Sequence, residues 1–144
     1  MVSVEAKRTA EAHLRLAEAF ITTTEVVDTS SEVEIRNAFS RAYYALFHAG
    51  YAVLLGEGND PVVVERVAKD HGRLHSALRH PTGRSFERYV RAIYDRRQQA
   101  DYEPDWPVPS ASFAQAELRS ARKQFYWLLN TTQRSLARAE RHLQ

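Results

Sequence analysis

Apolar positions recur along this chain at the three-to-four spacing of helices, from its first residues to its last. Ala10, Leu14, Ala17 and Ile21 form one stripe while Lys7, Arg8, Arg15 and Glu18 lie off it. That pattern predicts a helix over about Val4–Thr23, with Ser3 as its N-cap. The threonines at 22–24 and the run Asp28-Thr29-Ser30-Ser31 interrupt it. Ser31 with Glu34 reads as a capping box that opens a second helix, which should stop at Gly56 or Gly58. This second helix is apolar on more than one side. Ile35, Ala38, Ala42, Ala45 and Ala49 make one stripe, and Phe39, Tyr43, Leu46 and Phe47 lie beside it. Such a helix is expected at the centre of the fold, touching several others. Pro61 opens a short helix through VVVERVAKDHG, and Pro81 with Gly83 breaks the chain again. A fourth helix is expected from Ser85 to about Tyr102, with Phe86, Tyr89, Val90, Ile93 and Tyr94 on its apolar face. Pro104, Pro107 and Pro109 exclude helix across DYEPDWPVP. Ser110 or Ser112 then caps a long closing helix with the stripe Leu118, Ala121, Phe125, Leu128, Thr132, Leu136, Ala139 and Leu143. Strand alternation, internal repeats and low-complexity segments are missing. The expectation is one all-α domain over residues 1–144, an up-and-down bundle of four to five helices.

Composition narrows the class without changing that picture. With 44% apolar and 26% charged residues, the chain has the make-up of an ordinary globular domain. There is no Cys, which excludes disulfides, thiolate metal sites and a Cys nucleophile. No apolar run approaches the ~20 residues of a membrane span, and the charged start lacks the core of a signal peptide. A cytoplasmic protein with no membrane association is expected.

The net charge of +2 hides an uneven distribution. Residues 1–70 carry seven Lys/Arg against eleven Asp/Glu, whereas residues 71–97 carry seven against two. Seventeen of the 20 basic residues are Arg, whose planar fork suits carboxylate and phosphate. The basic middle thus permits RNA or phosphate binding, and the plainer reading is solvated helix faces with ion pairs to the acidic half.

The common nucleotide-binding and hydrolytic strings are absent, which leaves three constellations. Arg41 and His48 are seven apart on the second helix, close to two full turns, with Asn37 and Ser40 nearby. An imidazole could move a 2′-hydroxyl proton while a guanidinium stabilises the phosphorane-like charge, cutting RNA without metal. The plainer reading is a core histidine and an arginine paired to an acid. Arg97 and Asp101, at i and i+4, suit a local ion pair. With Arg96 and Tyr102 they equally suit a phosphate or base platform. His71 and His75, with Asp70 alongside, have the spacing of two zinc ligands, but a third ligand is required and Gly72 weakens the helix. The expectation is no metal and no cofactor.

These residues also carry a resemblance. The string Ser40-Arg-Ala-Tyr-Tyr-Ala-Leu-Phe-His48-Ala, followed by an apolar helix and Gly, resembles the signature helix of the HEPN domain family. Arg96-Arg-Gln-Gln-Ala-Asp-Tyr102-Glu-Pro-Asp resembles the Arg-x-x-Ala-Asp-Tyr-x-Pro element of small prokaryotic members, and the similarity spans about residues 5–140. The resemblance implies a helical bundle, a homodimer, and a metal-independent ribonuclease acting as a toxin or defence component. It also implies a minimal nucleotidyltransferase as cognate antitoxin. Catalytic members carry Arg, a polar residue and then His on the later helix. Here Tyr102 stands in the His place when counting from Arg97, and Asp101 does when counting from Arg96.

Two functions follow. One is an RNA-directed ribonuclease with Arg41, His48, Arg97 and Asp101 as catalytic residues, and Arg96, Tyr102, Tyr44 and Arg91 holding RNA. The other is a non-catalytic helical module that binds a partner protein or a nucleotide. An Arg97 in an exposed groove near His48 fits the first. An Arg97 buried against Asp101 fits the second.

Overall fold

In a computed structural model, which describes residues 2–142 and side chains up to residue 138, six α-helices and no strand occur among the described residues. The helix α1 (Val4–Thr22) is capped by Ser3, whose hydroxyl accepts the Ala6 amide at 3.0 Å. Its predicted stripe of Ala10, Leu14, Ala17 and Ile21 is buried, and a single 3₁₀ turn (Thr23–Glu25) ends it. The helix α2 (Glu32–Gly56) begins where Ser31 Oγ accepts the Glu34 amide at 3.3 Å. The expected return bond differs: Glu34 Oε2 accepts from the Asp28 amide, and so ties the preceding loop rather than the cap residue.

Thirteen of the 25 residues of α2 are buried, and the helix packs against every other α-helix. That centrality follows from its two apolar stripes, which leave little polar surface to face water. Phe47, on the edge of the second stripe, is half-buried.

The short helix α3 (Pro61–Ala68) starts at an Asp60 cap with proline in its first turn, as the sequence indicates, but stops before Asp70. A further helix, α4 (His71–Thr82), follows where the sequence pattern indicates only breaks. Asp70 caps it by accepting the Arg73 amide, Gly72 sits in the first turn, and Pro81 falls in the last turn, so neither breaker stands mid-helix. Its buried face is Leu74, His75 and Leu78. Only Gly83 separates it from α5 (Arg84–Tyr102), at φ 93°, a conformation that favours glycine. The closing helix α6 (Ala111–His142) is capped by Ser110, which accepts the Phe113 amide. Leu118, Ala121, Phe125, Leu128, Thr132 and Leu136 of its predicted stripe are buried. Leu143 and the side chain of Ala139 lie outside the described residues.

The main core joins α1, α2, α4, α5 and α6 around Tyr43, Leu46, Leu55, Leu74, Leu78, Ile93 and Phe125. A smaller cluster of Ile35, Phe39, Ala100 and Ala114, with Trp106 and Val108, fixes the proline-rich turn. Arg36 of α2 reinforces it. Its guanidinium donates to the carbonyls of Ala100, Glu103 and Pro104, so it caps the carboxyl end of α5. This clamp holds the α5 turn that carries Arg97 and Asp101. None of the described helices is long and apolar enough to cross a membrane.

Candidate functional site

Arg41 and His48 share a face of α2 by spacing, but their surroundings differ. Arg41 is exposed and makes no hydrogen bond or ion pair with any described residue. His48 is half-buried, because α1 crosses α2 there and covers it. Its Nδ1 lies 2.9 Å from His13 Nδ1, and its ring stacks on Phe20. His13 in turn stacks on Tyr51 with centroids 4.0 Å apart. Burial, and then the neighbouring His13, lower the His48 pKa to about 4; burial lowers His13 as well. At neutral pH both rings are uncharged and share one hydrogen bond, with one Nδ1 as donor and the other as acceptor. No hydrogen bond, ion pair or ring contact among the described residues joins Arg41 or His48 to Arg97, which meets this face of α2 at Tyr44, one turn before His48.

Arg97 is locked inside its own neighbourhood. Only 8% of it is exposed. Its Nη2 donates to the Tyr44 hydroxyl at 2.7 Å, and its Cζ lies 5.1 Å from the Tyr44 ring and 5.4 Å from that of Tyr102. Nε sits 3.0 Å from Asp101 Oδ2, but its N–H is not aimed at that oxygen and finds no hydrogen-bond partner. The contact is therefore a charge pairing rather than a hydrogen bond. Asp101 also accepts from Ser40 Oγ at 3.3 Å. Ser40 and Tyr44, one turn apart on α2, thus grip Asp101 and Arg97, one turn apart on α5.

The remaining candidates diverge. Arg96 turns to α6, with Cζ 5.1 Å from the Phe113 ring and Nε 3.6 Å from Glu117. Arg91 turns to α4, donating to Ser76 Oγ at 2.8 Å and lying 3.6 Å from Glu87. Tyr102 is 67% exposed, with its ring against Arg97.

Beside the Arg97 lock stands a cluster that the sequence pattern does not assemble. Tyr43 Oη lies 2.6 Å from His71 Nδ1 and 2.9 Å from His75 Nε2. The Tyr94 ring packs on all three, with centroids 5.1–5.3 Å away. A phenol has one proton to give, so it donates to one imidazole and accepts from the other, which fixes their tautomers. Burial, then the Tyr94 hydroxyl, raises Tyr43 above its ordinary value, with the Arg97 charge opposing. Burial, then Arg97, lowers His71, while Asp70 opposes. Burial, then Arg91 and His71, takes His75 down to about 4. Both histidines are neutral at pH 7 and point at a hydroxyl. The Tyr43 and Tyr44 rings, edge to face with centroids 5.6 Å apart, join the two clusters into one polar and aromatic patch between α2, α4 and α5. Its signal in the sequence is the His71-x3-His75 spacing, which as a zinc motif lacks a third ligand. Among the described residues no group of three or more His, Cys, Asp or Glu could hold a metal ion.

This patch is largely closed to solvent, since Tyr43, His75 and Arg97 are buried, and the exposed ring at its rim is Tyr102, against Arg97. Comparisons with known proteins leave the geometry to speak alone, since no family model, no curated protein and no solved structure matches the chain.

Proposed function

We propose that this chain is a non-catalytic helical module of the HEPN type, acting by binding a partner protein. The observation that carries the reading is the burial of Arg97 against Asp101. A guanidinium that stabilises a phosphorane must meet the phosphate, whereas this one is engaged by Tyr44, Tyr102 and a carboxylate that would repel an anion. His48, the imidazole that the cleavage scheme needs, is engaged by His13. Under this reading Arg97 and Asp101 are structural, and the domain works as a symmetric homodimer in the cytoplasm. The resemblance makes a minimal nucleotidyltransferase the leading partner. Incubating purified protein with total RNA and defined oligonucleotides in EDTA tests it. Intact RNA is expected, and cleavage that tracks the protein through purification would overturn the reading.

A second reading, metal-independent RNA cleavage, draws support from one observation: the half-buried His71 is linked to Arg97 through the adjoining rings of Tyr43 and Tyr44, 5.6 Å apart. In that case His71, not His48, is the acid–base group and Arg97 holds the phosphate. Cleavage in EDTA that disappears in both His71→Gln and Arg97→Lys would establish it. Cleavage retained in both variants would remove it.

A further inference from the structure

We propose that the seam between α4 and α5 is a binding track for the phosphate backbone of a nucleic acid. Two adjoining grooves run along it. One, of about 340 Å³, is bounded by Arg79, Arg84, Glu87 and Arg88. The other, of about 550 Å³, includes Arg73 and Arg91 among its walls. Five arginines therefore face one seam, from both helices. Arg73, Arg79, Arg84 and Arg88 are positioned by no ion pair with a described residue and keep their whole donor set for a ligand. Two acids line the seam, Asp70 and the half-buried Glu87, whose Oε2 finds no hydrogen-bond partner. Asp70 caps α4, and Glu87 lies 3.6 Å from Arg91. The 12 residues of α4 give the seam a length of about 18 Å, room for several successive phosphates.

The chemistry separates a polynucleotide from an acidic protein. A protein interface needs an aromatic or aliphatic anchor at its centre. None of the exposed large hydrophobic residues lies between positions 71 and 98; they sit on α1, α2, α3 and α6, in the loop after α1, and at Tyr102. The second groove has Val67 and Ala77 in its wall, but both are half-buried and neither is aromatic, so the arginines dominate and affinity comes chiefly from releasing counterions from a dense line of phosphates. No aromatic ring lines either groove, so bases find no stacking platform there and binding is expected to depend mainly on the phosphate backbone. The seam shares no residue with the Arg97 site and goes beyond the partner-binding reading; one of its walls is Arg91, expected from the sequence to hold RNA.

The test is fluorescence anisotropy of the full chain with a labelled 12-nucleotide RNA, a DNA duplex and poly-glutamate, across a salt series. Arg79→Ala/Arg84→Ala/Arg88→Ala is compared with Arg8→Ala/Arg119→Ala/Arg134→Ala, which removes the same charge from exposed sites elsewhere; helicity by circular dichroism confirms that both fold. Binding to one or both nucleic acids is expected, with the seam variant lowering the log–log salt slope by about 2 for RNA, at about 0.7 for each phosphate no longer neutralised. The control variant should keep the wild-type slope. The RNA and duplex arms distinguish which backbone the seam prefers. Equal reductions in the two variants, no binding to either nucleic acid at low salt, or tighter binding to poly-glutamate would overturn the proposal.

Discussion

Acidification from pH 7.5 to 5.0 should destabilise this fold markedly, because it buries histidines in their neutral form. His48 and His75 titrate near 4 in the folded chain, against about 6.5 when unfolded. Their contribution is fully present above pH 6.5 and is lost as the pH falls toward 4, since the unfolded chain takes up the protons first. At pH 5 a group moved from 6.5 to about 4 forfeits about 2 kcal/mol. His75 is 1% exposed and warrants most of that figure, whereas half-buried His48 is partly screened by solvent. The pair therefore accounts for about 2–4 kcal/mol, with His13 and His71 shifted in the same direction. Urea unfolding at the two pH values measures it, with the slope m held as a check that the unfolded state is unchanged. His75→Gln should be less stable at pH 7.5 but lose less on acidification. Equal stability of the wild type at pH 7.5 and 5.0 would refute the buried neutral histidines.

Two further outcomes follow from the crossings on α2. Gly50→Ala would set a Cβ 2.8 Å from Cδ1 of fully buried Leu78, so it should cost about 1–3 kcal/mol in thermal unfolding, with Leu78→Ala partly relieving the clash in the double variant. Tyr43→Phe deprives His71 Nδ1 and His75 Nε2 of their shared partner, and should cost about 1–3 kcal/mol while leaving helicity unchanged.

What was legible in the sequence was what a single helix decides. The Ser3 cap, the α1 stripe, the two faces of α2 and the proline-rich turn all follow from local spacing, and the structure carries them. The helix α4 was not legible, because Gly72 and Pro81 read as breaks unless Asp70 is seen to place them in the first and last turns. Local spacing says less at Arg41 and His48. It puts both on one face of α2 but is blind to α1, whose His13 and Phe20 cover His48. The Arg97–Asp101 pair was visible at i and i+4, but its depth was not, since Tyr44 lies 53 residues away in the chain. The Tyr43–His71–His75 cluster needed the packing of α4 on α2, which no periodicity encodes.

The central claim is that Arg97 holds α5 to α2 rather than serving a reaction, and thermal unfolding of Arg97→Met tests it most directly. The variant loses the hydrogen bond to Tyr44 and the charge between two aromatic rings, and Asp101, its side chain a quarter exposed, loses its charge partner but keeps water and the Ser40 hydroxyl. The expected cost is about 1–3 kcal/mol, a fall of roughly 3–15 °C in Tm for a chain of this size. An Arg97→Met protein that melts at the wild-type temperature, yet loses an RNA cleavage that the wild type performs in EDTA, would contradict the account.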